Sequence, residues 1–123
     1  MSSKKNVQHV YLVGAKSLGA YGGYETFVYK LTKYHQNNEN IKYHVACKAN
    51  GDGCMDESKF EGVTKLNSHE FEFHNAHCFK INVPQIGPAQ AIYYDVAALK
   101  KCCEHIRKNH ISHPIVYIMA CRI

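Results

Sequence analysis

The chain has 123 residues, of which 46% are hydrophobic and 20% charged, a composition that predicts one globular domain and excludes a disordered or fibrous protein. Its net charge of +5 is spread along the chain without a long basic block, so we expect no nucleic-acid partner. No apolar run approaches the length of a membrane span and the amino terminus lacks a signal-peptide pattern, so we expect a cytoplasmic protein.

The first half of the chain alternates between strand and helix patterns. Residues His9 to Val13 are apolar and followed by a glycine, as in a buried parallel strand. Apolar residues at helical spacing between Tyr24 and Tyr34 predict an amphipathic helix that ends near Gln36. Alternation over 41–47 predicts a second strand, and 50–68 is predicted to be a turn followed by a loop with weak helix potential.

The second half continues the alternation. Two alternating apolar runs within His69 to Val83, separated by a polar break, predict a hairpin or two strands with a short connection. A helix is expected to begin near Pro88, which suits a first turn, and to end near Asn109 and His110. Residues 114–120 predict a last buried strand. The helix is predicted to carry one continuous apolar stripe, formed by Ile92, Val96, Leu99, Cys103 and Ile106.

This order of elements predicts the fold class. We expect an α/β fold with a Rossmann-like, open and mostly parallel sheet, flanking helices and a β-hairpin. Such sheets bind their ligands at the carboxyl ends of the strands. The chain ends directly after its last predicted strand, so we expect a truncated domain (1–123) that leaves one apolar face uncovered and tends to self-associate.

A glycine-rich segment, GAKSLGAYGGYE from Gly14 to Glu25, joins the first predicted strand to the first predicted helix. Its spacing, GxxxxGxxGG, fits neither the dinucleotide fingerprint nor the P-loop. A glycine-rich turn before a helix nevertheless lets the backbone approach a ligand closely, and the N–H groups of Gly22 and Gly23 would lie at the positive end of the helix dipole. An anion or a sugar hydroxyl is the expected ligand; the alternative is a tight turn that serves helix packing alone.

Three stretches of the sequence carry a resemblance to a known family. They are YGGYETFV, the proline–glycine–proline stretch that leads into AIYYDV, and YIMACRI, within a match that covers nearly all of the chain from Val10. In these features the chain resembles the amino-terminal domain of bacterial glycosyltransferases that include rhamnosyltransferases of capsular and other surface polysaccharide assembly. The resemblance implies the GT-B architecture of two facing Rossmann-like domains and the metal-independent, retaining chemistry of glycosyltransferase family four.

The same resemblance implies the substrates and partners. The donor would be a nucleotide-sugar, with rhamnose as one candidate sugar, and the acceptor a saccharide or a lipid-linked oligosaccharide. No cofactor and no metal are expected. Most nucleotide-sugar contacts would come from a carboxyl-terminal domain that this chain would lack, so the chain alone is expected to be inactive. Peripheral association with the inner face of the cytoplasmic membrane is compatible with the basic charge balance.

The resemblance also suggests site residues, although it leaves the catalytic residues unassigned. Gly22 and Gly23 match the glycine loop that faces the interdomain cleft near the donor diphosphate in these enzymes, and Lys16, Tyr21 and Glu25 flank that loop. Lys16 is a candidate contact to phosphate or acceptor. For Glu25 the alternative is that it only complements the helix dipole.

Two further candidates lie later in the chain. Asp95, near the start of the second helix, is a candidate acceptor for sugar hydroxyls; the alternative is a solvated helix residue. Arg122 follows the last strand and carries a guanidinium suited to phosphate or carboxylate, unless the terminus frays.

Histidines and cysteines are interpreted as structural. Two groups could gather around a metal but lack zinc-site spacing: His69, His74, His77 and Cys78, and His105, His110 and His113. The six cysteines form no CxxC pair, so we expect reduced and mostly buried thiols.

An alternative function is a stand-alone Rossmann-type module that binds a phosphorylated ligand or a protein partner.

Overall fold

The computed structural model describes residues 7–18 and 23–119 of the chain. Their elements alternate between strand and helix, as predicted. In chain order they are β1 (Gln8–Val13), α1 (Gly23–Tyr34), β2 (Ile41–Lys48), a short 3-10 helix (Glu57–Lys59), β3 (Thr64–Lys65), β4 (Glu70–Phe73), β5 (Ala76–Ile81), α2 (Ala89–Lys108) and β6 (Ile115–Ile118).

Within these described residues, the strands form one six-stranded sheet in the order β3-β4-β5-β2-β1-β6. Strands β5, β2, β1 and β6 run parallel, whereas β3 and β4 run antiparallel to their neighbours. The predicted α/β class with a Rossmann-like, mostly parallel open sheet is therefore confirmed. Strand β3, which lies within the segment predicted to be loop, was not anticipated.

The β4–β5 connection is a hairpin, which decides between the two predicted alternatives. Its central residues, His74 and Asn75, have φ angles of 55° and 61°. Two successive left-handed residues are the signature of the tight hairpin turn whose twist matches that of the flanking strands.

Helices α1 and α2 cover opposite faces of the sheet. Alternating side chains of the strands divide the core into two clusters, one beneath each helix. The α1 side is built mainly from Leu12, Val28, Val45, Phe71 and Cys78. The α2 side is built mainly from Tyr11, Val13, Phe79, Tyr94 and Ala98.

The predicted apolar stripe of α2 is only partly correct. Leu99 and Ile106 pack against the core on the α2 side, together with Tyr94, Ala98 and Cys102, whereas Ile92 and Val96 are 44% and 47% exposed and Cys103 is exposed. The Tyr94 hydroxyl donates a hydrogen bond to the backbone carbonyl of Ala15 (2.6 Å), and burial raises the pKa of that hydroxyl well above its ordinary value.

Strand β6 was predicted to be buried, and this prediction is also wrong. All four of its residues are 37% to 49% exposed, because β6 lies at the edge of the sheet and is only partly covered, with the ring of Phe27 in α1 against that of Tyr117. Among the described residues, no helix combines the length and the apolar composition needed to span a lipid bilayer.

Candidate functional site

The carboxyl edge of the parallel strands is the place where this fold can hold a ligand. From β1 the chain crosses one face of the sheet through α1 and enters β2, which lies on one side of β1. From β5 it crosses the opposite face through α2 and enters β6, which lies on the other side of β1. A crevice opens where connections diverge in this way, beyond the carboxyl ends of the strands. The loop after β1 and the loop after β2 meet at this edge.

The start of the glycine-rich loop is held by two hydrogen bonds. The backbone N–H of Lys16 donates to Oε2 of Glu25 in the first turn of α1 (2.9 Å). The carbonyl of Lys16 accepts from the backbone N–H of Lys48 at the end of β2 (2.7 Å). Gly14, which opens the loop, has a φ of 124°, a conformation that favours glycine. Glu25 is therefore a brace for the loop in addition to any interaction with the helix dipole.

Two lysine side chains, those of Lys16 and Lys48, contact the adjacent loop of residues 49–53. Nζ of Lys16 lies 3.5 Å from Oδ2 of Asp52, and its side chain is 43% exposed. Nζ of Lys48 donates to the backbone carbonyl of Asp52 (2.9 Å) and is mostly buried. A Cβ added at Gly53 would lie 2.8 Å from Cδ of Lys16, so the Lys16 side chain packs directly on this loop. Both amino groups thus reach the same loop, at the edge where ligands of such sheets bind.

Gly23 is the first residue of α1 and is exposed. A Cβ built on it would meet no atom of the described residues within 4 Å, so within residues 7–18 and 23–119 no neighbouring atom requires glycine at this position. The first N–H groups of a helix have no partners within the helix and carry the positive end of its dipole. The open space beside Gly23 therefore leaves room for an anion or a hydroxyl close to the backbone.

The predicted site residues fall into three groups. Lys16, Gly23 and Glu25 lie at the carboxyl edge, as expected. Asp95 is only 1% exposed, so the alternative of a solvated helix residue is wrong. Three further candidates lie outside the described residues, namely Tyr21, Gly22 and Arg122.

Lys48 was not proposed from the sequence. The only signal for it is its position as the last residue of a strand, at the edge where ligands of such sheets bind. Its burial and its hydrogen bond to the 49–53 loop depend on a turn geometry that the sequence does not specify.

The histidines form a second cluster, at the opposite edge of the sheet. One ring nitrogen from each of His44, His77 and His105 lies within 4.8 Å of the other two. His77 and His105 belonged to separate groups in the sequence, and neither group contained His44. Two other histidines of those groups have partners elsewhere. His69 bonds to Ser68 and Asn82, and His74 bonds to Thr32 of α1.

Comparisons with known proteins give one finding. No curated protein and no solved structure matches the chain. A family model described as "Domain of unknown function (DUF1972)" matches residues 7–123, nearly the whole sequence. The chain therefore belongs to the DUF1972 family.

Proposed function

We propose that this chain is the amino-terminal, acceptor-side domain of a nucleotide-sugar-dependent glycosyltransferase. The observation that carries the proposal is the bond from the backbone N–H of Lys16 to Glu25, which ties the start of the β1–α1 loop to the first turn of α1, where Gly23 is exposed. The Rossmann-like fold and the motifs of the glycine segment support it. Rhamnose as the sugar, and a surface polysaccharide or lipid-linked oligosaccharide as the acceptor, are the finer part of the proposal and rest on the resemblance.

The proposed catalytic role of the carboxyl edge is to stabilise negative charge on the leaving group. Departure of a nucleoside diphosphate develops negative charge, which the positive end of a helix dipole and a lysine amino group can stabilise. Because Glu25 and Lys48 fix the start of the loop, its donors need little reorganisation when the ligand arrives. A separate carboxyl-terminal domain would bring the donor, and the acceptor hydroxyl would be positioned between the two domains.

A pair of lysine variants tests the electrostatic part of this proposal. We expect Lys16→Ala to weaken the binding of a nucleoside diphosphate by about tenfold, equivalent to about 1.4 kcal/mol, because a charge-assisted contact is lost. Lys33→Ala removes the same charge from the far end of α1 and should leave the affinity within about twofold. Calorimetric titration measures both. Equal losses in the two variants would mean that only net charge matters and would refute a site at Lys16.

A transfer assay tests the proposed division of labour between domains. This chain, mixed with a separately produced carboxyl-terminal domain of a related glycosyltransferase and a nucleotide-sugar, should support glycosyl transfer that neither part performs alone. Robust transfer by this chain without the second domain would contradict the proposal. Diphosphate binding at Lys16 without transfer in any mixture would instead support the alternative, a stand-alone module that binds phosphorylated ligands.

A further inference from the structure

The amino edge of the sheet, opposite the proposed transfer site, carries a histidine cluster formed by His44, His77 and His105. His44 of β2 and His77 of β5 are direct neighbours in the strand register. His105, in the last turns of α2, lies above them, with its ring centroid 4.6 Å from that of His44 and 5.1 Å from that of His77. Residues far apart in the sequence thus place three imidazoles in one small volume.

Each imidazole of the cluster has one nitrogen held by an outer partner. Nε2 of His77 donates to Oε1 of Glu70 (2.7 Å). Nε2 of His44 lies 2.8 Å from Nδ1 of His9, and Nδ1 of His105 lies 2.6 Å from the Tyr11 hydroxyl. Metal-binding histidines almost always use their second nitrogen in this way, which fixes the ring orientation and, with a carboxylate partner, raises ligand basicity.

The remaining nitrogens face one another. Nδ1 of His44 lies 2.9 Å from Nδ1 of His77, so one of the two must carry a proton that it donates to the other. The hydrogen bond to Tyr11 leaves Nε2 of His105 as its available atom. When a metal ion binds, that proton moves to Nε2 of His44, which then donates to Nδ1 of His9, and Nδ1 of both strand histidines presents a lone pair to the same space.

Burial favours the neutral form of two of the three rings, His44 and His105. Burial, followed by the neighbouring histidines His77, His105 and His9, lowers the pKa of His44 to about 2. Burial also lowers the pKa of His105. Metal ions bind the deprotonated nitrogen, so the proton between Nδ1 of His44 and Nδ1 of His77 has to leave that space when an ion binds.

The spacing fits a transition-metal ion. For three atoms no more than 4.8 Å apart, some point lies within about 2.8 Å of all of them, whereas a Zn–N bond is about 2.0–2.1 Å long. Side-chain adjustments of under about 1 Å would therefore complete a trigonal set of ligands. From this geometry we propose that His44, His77 and His105 bind one divalent transition-metal ion, with Zn²⁺ as the preferred ion, and that the ion ties α2 to β2 and β5.

Solvent reaches the cluster from two sides. A cavity of about 270 Å³ is lined by His77, His105 and Glu104, and a second of about 400 Å³ is lined by His44, Lys42 and Glu72. These openings give the ion an entry path and a position for a water molecule as fourth ligand. Three imidazoles suit Zn²⁺ and related ions, whereas Mg²⁺ and Ca²⁺ prefer oxygen ligands. The site is independent of the proposed glycosyl transfer, which the resemblance makes metal-independent.

Metal titration of the untagged 123-residue chain tests this site. After removal of metal with a chelator, Zn²⁺ followed by calorimetry should bind with a stoichiometry of one, and Zn²⁺ should raise the melting temperature. His105→Gln, on the helix, should weaken Zn²⁺ binding by at least about tenfold, and Glu70→Gln, which alters only the outer partner of His77, by about tenfold or more. Failure of the wild-type chain to bind Zn²⁺ stoichiometrically would overturn the proposal.

A matched control separates the cluster from other histidines and from thiols. His69→Gln removes an exposed histidine at the rim of the same cavity and should leave Zn²⁺ affinity within about twofold. Because Cys54 and Cys103 are exposed, Co²⁺ is used as a spectroscopic substitute: a spectrum without a thiolate charge-transfer band is expected. Equal losses in His69→Gln and His105→Gln, or a strong thiolate band, would show that the ion binds elsewhere. Circular dichroism of the metal-free variants confirms that each is folded.

Discussion

At the scale of single residues, Glu25 has the clearest structural role at the carboxyl edge. Its carboxylate accepts the backbone N–H of Lys16, and the carbonyl of Lys16 is in turn bonded to β2. The sequence indicated that Glu25 lies in the first turn of a helix, which is correct. It did not indicate that the side chain turns back to the loop, because that contact depends on how the loop passes over the helix.

The brace predicts a stability effect. Glu25→Ala should lower the free energy of unfolding by about 1–2 kcal/mol, because the partly buried N–H of Lys16 loses a charged acceptor. Glu25→Gln keeps an acceptor oxygen and should lose less. Urea denaturation measures both, with the exposed Glu61→Ala as control, expected within about 0.5 kcal/mol of the wild type. If Glu25→Ala is as stable as Glu61→Ala, the brace contributes nothing.

At the scale of elements, the β4–β5 hairpin is tied to α1 through its turn. The ring of His74 stacks on Phe73, and its Nδ1 lies 3.1 Å from the Thr32 hydroxyl of α1. Burial, followed by the charge of Lys33, lowers the pKa of His74 below its ordinary value. Protonation of His74 therefore opposes the contact between the turn and the helix.

The lowered pKa of His74 sets the sign of a pH dependence. Below pH 6.5 the unfolded chain binds a proton at His74 more readily than the folded chain, so stability falls as the pH drops through this range. We expect His74→Asn, which suits the positive φ of this turn, to lose less stability than the wild type between about pH 7.5 and 5.5. Urea denaturation at several pH values measures the difference. Identical pH dependences in both proteins would refute this role of His74.

Element prediction from the sequence succeeded where the pattern was local. Alternation in Phe71 and Phe73, followed by a polar break, was enough for the hairpin. It failed for β6, since an apolar strand pattern does not reveal whether a helix covers the strand. It was only partly right for α2, where Leu99 and Ile106 pack on the sheet but Ile92 and Val96 stay exposed.

At the scale of the whole molecule, the sheet separates two chemically different edges. The carboxyl edge carries the exposed first residue of α1 and the amino groups of Lys16 and Lys48, and the amino edge carries a cluster of imidazoles. The carboxyl edge was predicted as a ligand site because glycine-rich loops after strands have a fixed place in this fold. The histidine cluster at the amino edge could not be predicted in the same way, because it depends on the register between His44 and His77, which only the assembled sheet supplies. Self-association through exposed apolar surface remains a prediction.

The central claim is that the first turn of α1 and the adjoining loop bind the diphosphate of a sugar nucleotide. It is tested most directly by following backbone amide resonances during titration with a nucleoside diphosphate sugar. We predict that the largest shifts map to Lys16 and to residues 23–26, while those around His44 and His105 stay unchanged. Shifts concentrated at the amino edge, or no saturable shifts at all, would contradict the claim.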